Sequence, residues 1–126
     1  VTNPLWLAKG VMGRGVFGDR FNILEHSEMY RAVSPIDNIT HSTVRDFPPQ
    51  LLIVGSEDPL VTPASVKAYH SALQSAGHST RYWEYAGQSH AFLDSGSNAV
   101  LGSSFDADAP PALDVMIAFL DEVFYP

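Results

Sequence analysis

The chain has 126 residues, 45% of them hydrophobic, so it is long enough to form one domain with a buried core. Fourteen acidic and seven basic residues give a formal charge of −7, which argues against nucleic acid or an anionic membrane surface as a partner. Cysteine is absent, which excludes disulfides and a cysteine nucleophile, and no apolar run reaches the roughly 18 residues that a membrane span requires.

Residues 1–47 are irregular and rich in glycine, and we expect them to form a loop-rich or cap-like (lid) region. The stretch "FNILEHSEMYRAV" (21–33) has loosely helical apolar spacing and predicts a helix of two to three turns. Prolines in "SPIDNI" and "DFPPQ" then interrupt the pattern. The sequence therefore predicts little regular structure before residue 48.

Residues 48–126 are more regular and begin with a strand. The apolar run "QLLIVG" (50–55) has the length and composition of a strand covered on both faces of a sheet. Thr62 and Pro63 suit the start of a helix, and Gly77 suits its end. The helix brings the chain to its second regular strand.

The second strand and a last helix complete the predicted pattern. "STRYWEY" (79–85) alternates as a strand does, and Asp108 with Pro110 and Pro111 predicts the start of the last helix. His70 is expected to pack on the first helix of this region, and His78 to be exposed after its end. The last helix carries an apolar stripe formed by Leu113, Met116, Ile117, Leu120 and Phe124.

The order strand, helix, strand, helix predicts an α/β fold with a parallel sheet. Only two strands are evident, so such a sheet has an unpaired edge and an incompletely covered face. We therefore expect this unit to pack against a further polypeptide segment.

Two polar residues follow the two predicted strands. Asp58 comes three residues after Gly55, and His90 comes three residues after Gly87. Ligands of open parallel sheets bind beyond the carboxyl ends of the strands, so both side chains are expected at one edge. An aspartate beside a histidine can fix the imidazole tautomer and stabilise the imidazolium that forms in general-base catalysis. The alternative is that both residues are ordinary polar loop residues.

The surrounding motifs resemble one enzyme superfamily. "PPQLLIVGSEDPLVTPASVKAYHSALQSAGHSTRYWEYAGQSHAFLD" resembles the carboxyl-terminal part of α/β-hydrolases, in particular esterases and lipases similar to hormone-sensitive lipase. In that family the triad acid commonly stands in a "D-P-L-V"-like turn and the histidine in a "G-x-x-H-x-F" loop. The resemblance, which covers residues 32–94 and the last helix, implies that Asp58 and His90 are the catalytic acid and histidine. Glu57 is the alternative acid, and the resemblance favours Asp58.

The family's nucleophile motif does not occur in the chain. Neither a G-x-S-x-G elbow nor an HGGG-type oxyanion loop is present. The nearest match is "GQSHA" (87–91), which would make Ser89 the nucleophile, but a poor helix sequence follows it and no further histidine does. No signal-peptide pattern is visible. The chain begins with valine rather than an initiator methionine, so we expect a processed or truncated start.

The resemblance implies the acid- and histidine-bearing half of a serine carboxylic-ester hydrolase that acts through an acyl-enzyme. We expect the amino-terminal half, with the serine, to be a separate chain, and the substrate to be a small ester. No cofactor or metal is implied. A peptidase or amidase of the same fold and a catalytically silent interaction module are the alternatives.

Other patterns indicate chemistry less specifically. "GRGVFG" (13–18) matches the dinucleotide-binding pattern, but no clear strand precedes it, so a flexible loop is preferred. The five histidines lack paired metal-ligand spacing. Four residues would line an acyl or alcohol pocket if residues 1–47 are a lid, with core packing as the alternative: Trp6, Phe17, Phe21 and Met29.

Overall fold

The computed structural model describes residues 27–94, 96–99 and 102–126. In chain order its elements are α1 (Ser27–Ala32), a 3₁₀ turn (Ile36–Asn38), β1 (Gln50–Gly55), α2 (Pro63–Ser75), β2 (Thr80–Tyr85), β3 (Ser97–Asn98), β4 (Ser103–Ser104) and α3 (Phe105–Phe124). None of the helices in this described part has the length and apolar character needed to cross a bilayer.

The two long strands pair in parallel, as the sequence predicts. Their register runs from Gln50 opposite Thr80 to Gly55 opposite Tyr85. The strands β1 and β2 therefore end at the same edge of the sheet, and the chain segments that follow them leave from that edge.

The helices α2 and α3 contact opposite faces of β2. On the α2 side, the ring of His70 lies 5.9 Å from that of Tyr82, and its Nδ1 lies 3.2 Å from the hydroxyl of Thr80. On the α3 side, the ring centroid of Phe119 lies 5.9 Å from Cζ of Arg81. Because successive side chains of a strand point to opposite faces, the two helices lie on either side of the sheet.

A second set of contacts holds α2 against β2. Lys67 Nζ and the Tyr82 hydroxyl both donate to Oε2 of Glu84, each at 2.7 Å. The lysine contact, followed by that of the tyrosine, holds the pKa of the Glu84 carboxyl below its usual value. Desolvation and the bond to Glu84 raise the pKa of the Tyr82 phenol. These contacts therefore support the packing of α2 at neutral pH.

The boundaries of α2 confirm the prediction from its capping residues. Thr62 is the N-cap, and its hydroxyl accepts a hydrogen bond from the Ser65 amide at 3.3 Å. Pro63 is the first helical residue, where its missing N–H costs nothing. Gly77 follows the helix with φ +84°, the left-handed conformation that ends many helices. Leu73, in the last part of this helix, is fully buried.

The start of α3 differs from the prediction. The helix begins at Phe105 rather than Asp108, so Pro110 and Pro111 lie inside it. The Asp108 carboxylate accepts a hydrogen bond from the Ser104 amide at 2.6 Å, and this contact supports an earlier first turn. The apolar stripe is present in the helix, but four of its members are exposed: Leu113, Ile117, Leu120 and Phe124.

The prediction that His78 is exposed is wrong. Its side chain is buried, its ring stacks on Phe47 with centroids 4.2 Å apart, and its Nε2 lies 2.6 Å from the carbonyl oxygen of Thr40. The Phe47 amide donates to Nδ1 at 3.4 Å. The histidine therefore joins the end of α2 to the segment that leads into β1.

The predicted lid region is described only in part. The predicted helix over 21–33 is present as α1, with Tyr30 buried, while its residues 21–26 lie outside the described residues. "GRGVFG", Trp6, Phe17 and Phe21 also lie outside them, and the side chain of Met29 is exposed. The lid assignment of residues 1–47 therefore stays a prediction.

Replacing His78 by phenylalanine should destabilise the protein by about 1–3 kcal/mol. The new ring can still stack on Phe47, but the Thr40 carbonyl and the Phe47 amide lose their partner at a partly buried position. Chemical denaturation measures the change in the free energy of unfolding. His41→Phe, at an exposed position, is the matched control and should change it by less than about 0.5 kcal/mol. Equal effects of the two substitutions would contradict the structural role of His78.

Candidate active site

Two loops leave the same edge of the sheet and carry the two residues that the sequence singled out. The first follows Gly55 at the end of β1 and reaches Asp58. The second follows Tyr85 at the end of β2 and reaches His90. Because the strands are parallel and in register, the two loops begin side by side. This arrangement brings together residues that are far apart in the sequence.

The side chains of Asp58 and His90 form a hydrogen-bonded pair. His90 Nδ1 lies 2.8 Å from Asp58 Oδ2, and the other carboxylate oxygen, Oδ1, accepts from the amides of Leu60 and Val61, each at 2.8 Å. The aspartate side chain is only 6% exposed, whereas that of His90 is 35% exposed. Two backbone amides and the imidazole thus provide hydrogen bonds to the buried carboxylate of Asp58. These bonds fix the carboxylate with Oδ2 directed at the imidazole.

The contact with Asp58 determines the tautomer of His90. A carboxylate accepts a hydrogen bond, so Nδ1 carries the proton and Nε2 presents its lone pair. Within the described ranges no side chain or amide hydrogen-bonds to Nε2, and the ring is partly exposed. A hydroxyl that approaches this nitrogen can therefore transfer its proton to it. The arrangement has the chemistry of a general base with a positioned acid partner.

Further hydrogen bonds join the two loops independently of the side chains of Asp58 and His90. The Gly87 amide donates to the Ser56 hydroxyl at 2.8 Å, and the Glu57 amide donates to the Gln88 carbonyl at 2.9 Å. At Gly55 a Cβ would lie 2.6 Å from the carbonyl oxygen of Ser89 and still closer to that of Gln88. The loop after β2 (residues 86–93), which carries His90 and is called the histidine loop below, therefore passes directly over Gly55. Only glycine leaves room for it there.

A strained residue follows the histidine. Ala91 has φ +62°, in the left-handed region that residues with a Cβ rarely adopt. The side chain of Phe92 is buried, and its ring packs edge-on against Tyr85 with centroids 5.4 Å apart. Burial of Phe92 thus offsets the unfavourable backbone conformation of Ala91, and together they set the direction in which the loop leaves His90.

The alternative residues from the sequence do not fit the site equally well. Glu57 is exposed, and its side chain has no hydrogen bond to His90. Ser89 lies in the histidine loop, but turns follow it over residues 90–93 instead of the helix that a nucleophile elbow requires. Within the described part of the chain no three His, Asp or Glu side chains are grouped as metal ligands.

The sequence did not identify the residues that hold the loops together. Ser56, Gln88 and Asp108 all make hydrogen bonds between segments that are distant in the chain. A polar side chain two residues from a predicted catalytic residue was the only available signal, and it was not specific. The contacts become evident only when the two strands are paired.

An open apolar cavity of about 480 Å³ lies between β1 and α3 and extends to the histidine loop. Its walls include Leu51 and Ile53 of the strand, Phe92 and Leu93 of the loop, and Met116 of the helix. The same side of the protein carries the exposed apolar residues of α3. An apolar surface therefore continues from the sheet to Phe92 and Leu93, which follow His90 in the chain.

Comparison with known proteins identifies the family. A family model described as alpha/beta hydrolase fold matches residues 19–94, more than half of the chain. The chain therefore belongs to the α/β-hydrolase fold family, which confirms the predicted fold class and the resemblance to it. The hormone-sensitive lipase group within the family stays a prediction. No curated protein matches the chain.

Solved structures of one esterase are similar to the chain. The native esterase Est2 from the Planctomycetes species Thermogutta terrifontis aligns with a TM-score of 0.63 and 20% identity, over 82% of this chain and 33% of the esterase. Its butyrate-bound form gives 0.63 and 19%, over 90% and 39%, and the form phosphoramylated by tabun gives 0.61 and 22%, over 75% and 32%. At this identity the likeness shows the fold alone. The chain spans about a third of the length of these structures.

Replacing Gly55 by alanine should separate the two loops. The new Cβ would collide with the carbonyl groups of Gln88 and Ser89, and a destabilisation of about 1–3 kcal/mol is expected. Gly87→Ala is the control because its Cβ would meet nothing within 4 Å, so that only its positive φ is unfavourable, by about 1 kcal/mol. Unfolding free energies measure both. A cost at Gly55 no larger than that at Gly87 would contradict the close approach of the loops.

Proposed function

We propose that the chain supplies the histidine and the acid of a serine carboxylic-ester hydrolase that acts through an acyl-enzyme. The observation that carries the proposal is the 2.8 Å contact between a buried Asp58 and Nδ1 of His90, which leaves Nε2 as a proton acceptor. Membership of the α/β-hydrolase fold family and the likeness to an esterase support it. The catalytic roles of both residues remain predictions until they are measured.

In the proposed mechanism His90 moves a proton twice in each half-reaction. Nε2 takes the proton of a serine hydroxyl as its oxygen attacks the ester carbonyl, and then gives the proton to the leaving alcohol as the C–O bond breaks. A water molecule repeats the sequence on the acyl-enzyme and releases the acid and the serine. Asp58 does not take the proton itself; it orients the imidazole and stabilises the imidazolium through its hydrogen bond to Nδ1.

We propose that the serine and the oxyanion donors lie on a segment outside these 126 residues. The sequence contains no G-x-S-x-G or HGGG motif, and the similar esterase structures are about three times as long as the part that aligns with this chain. Within the described residues β1 pairs only with β2, and the apolar side of α3 is exposed. An amino-terminal half, as a separate chain, would extend this sheet and cover that side.

The same proposal assigns roles to the two regions of the chain. Residues 48–126 would be the part of the catalytic domain that carries Asp58 and His90, and residues 1–47 would form the cap or lid over a small ester. No cofactor takes part in this chemistry.

Substitution of His90 by alanine should reduce kcat by about 10⁴–10⁶-fold, because the nucleophile loses its base. Asp58→Asn should reduce it by about 10⁴-fold, because the amide favours the wrong imidazole tautomer. Initial rates on a short-chain nitrophenyl ester measure both effects. Glu57→Gln, in the same turn, is the control and should leave kcat within about threefold. A loss from Glu57→Gln as large as that from Asp58→Asn would contradict the assignment of the acid.

A serine-selective fluorophosphonate should label the active protein at a serine outside residues 1–126. Peptide mapping by mass spectrometry locates the label, and the intact mass shows whether that serine belongs to a separate polypeptide. Label on Ser89 would contradict the proposed position of the nucleophile. Faster cleavage of peptides than of esters would instead indicate a peptidase, and full activity of His90→Ala would indicate a non-catalytic role for the pair.

A further inference from the structure

A second carboxylate contacts the loop that carries His90. Gln88 Nε2 donates to Oδ1 of Asp108 at 2.9 Å, and the Ser104 amide donates to Oδ2 at 2.6 Å. Both oxygens of Asp108 are therefore engaged, one by a residue just before His90 and one by the residue that precedes α3. The two ends of the segment 88–104 meet on a single side chain.

The backbone of Gln88 is held at the same time by the two strand ends. Its amide donates to the Tyr85 carbonyl at 3.3 Å, and its carbonyl accepts from the amide of Glu57 at 2.9 Å. The residue thus contacts β2 and the turn of the catalytic acid through its backbone, and α3 through its side chain. It stands two positions before His90, so its orientation influences the direction of the imidazole.

After the histidine, the loop is held by the packing of Phe92 on Tyr85 rather than by side-chain hydrogen bonds to α3. Ala91 adopts an unfavourable backbone conformation, and turns continue over residues 91–93. The next backbone contact of the segment with α3 is the bond from the Phe105 amide to the Gly96 carbonyl, at 2.8 Å. The hydrogen-bond constraints between this loop and other elements therefore lie mostly before His90, at Gly87 and Gln88. Among the described residues, the bond from Gln88 to Asp108 is the one such constraint that a side chain of α3 provides.

We propose that Asp108 is a positioning residue for His90 and acts through Gln88; this inference rests on the proposed function. Asp108 does not reach the imidazole or the reacting atoms. Its role is to close the segment 88–104 against the first turn of α3, so that Nε2 keeps the direction needed for proton transfer. Loss of this constraint should lower kcat and leave KM almost unchanged, because substrate contacts are not altered.

A reciprocal exchange of carboxylate and amide tests the contact directly. In Gln88→Glu two carboxylates face each other and the bond is lost. In Asp108→Asn the Gln88 amide can turn over and accept from the new amide nitrogen, so this change alone should preserve the contact. The double variant, Gln88→Glu with Asp108→Asn, restores both bonds. The amide nitrogen of the introduced asparagine would donate to the introduced glutamate, while its oxygen accepts from the Ser104 amide.

Gln88→Glu and Gln88→Met should each lower kcat about 10–100-fold with KM within about threefold, and the double variant should recover most of the loss caused by Gln88→Glu. Asp114→Asn, at an exposed position of the same helix, is the matched control and should leave kcat unchanged. Gln88→Met breaks the link to α3 but keeps the contact of Asp108 with Ser104, so it separates positioning from the folding of α3. No recovery in the double variant, or a loss of kcat that only follows the loss of folded protein, would overturn the proposal.

A readout that needs no nucleophile separates this inference from the proposed function. The proton between His90 Nδ1 and Asp58 gives a low-field NMR resonance while the pair is ordered. The signal should broaden or weaken in Gln88→Glu and in Gln88→Met, and return in the double variant. An unchanged signal in both single variants would overturn the positioning role. If the wild-type protein hydrolyses no ester while the signal responds as expected, the proposed function fails and the positioning role stands.

Discussion

The candidate site depends on the parallel, in-register pairing of two six-residue strands. Gly55 lies opposite Tyr85, so the loops that follow the strands start side by side and lead away from the same edge. A shift by one residue would turn every side chain of one strand to the other face of the sheet. The meeting of Asp58 and His90 is thus a consequence of strand register, and the contacts between the loops refine it.

Burial of the aspartate makes this pairing useful for chemistry. A carboxylate withdrawn from water is unfavourable unless donors replace its hydration, and two backbone amides and the imidazole do so here. The turn at Pro59 brings the amides of Leu60 and Val61 onto one oxygen, so that the other is directed at the histidine. The local fold of the turn and the tautomer of the imidazole are therefore set by one group.

The sequence allowed the fold and the central pair to be predicted because their signals are local. A continuous apolar run, the capping pair at the start of α2 and the glycine after its end each depend on a few adjacent residues. The burial of His78 and the early start of α3 depend instead on hydrogen bonds to Thr40 and Ser104, which a pattern along the chain does not reveal. The bond between Gln88 and Asp108 was missed for the same reason.

The way in which the histidine loop is attached determines where the chain can change in length. Backbone hydrogen bonds hold the chain from Gly55 to Asp58 and from Tyr85 to Gln88. An insertion in either stretch would break these bonds and displace the imidazole. The turns and the short hairpin between Phe92 and Ser103 lie beyond that framework. Insertions and deletions in this stretch can reshape the surroundings of the site while the two polar side chains keep their places.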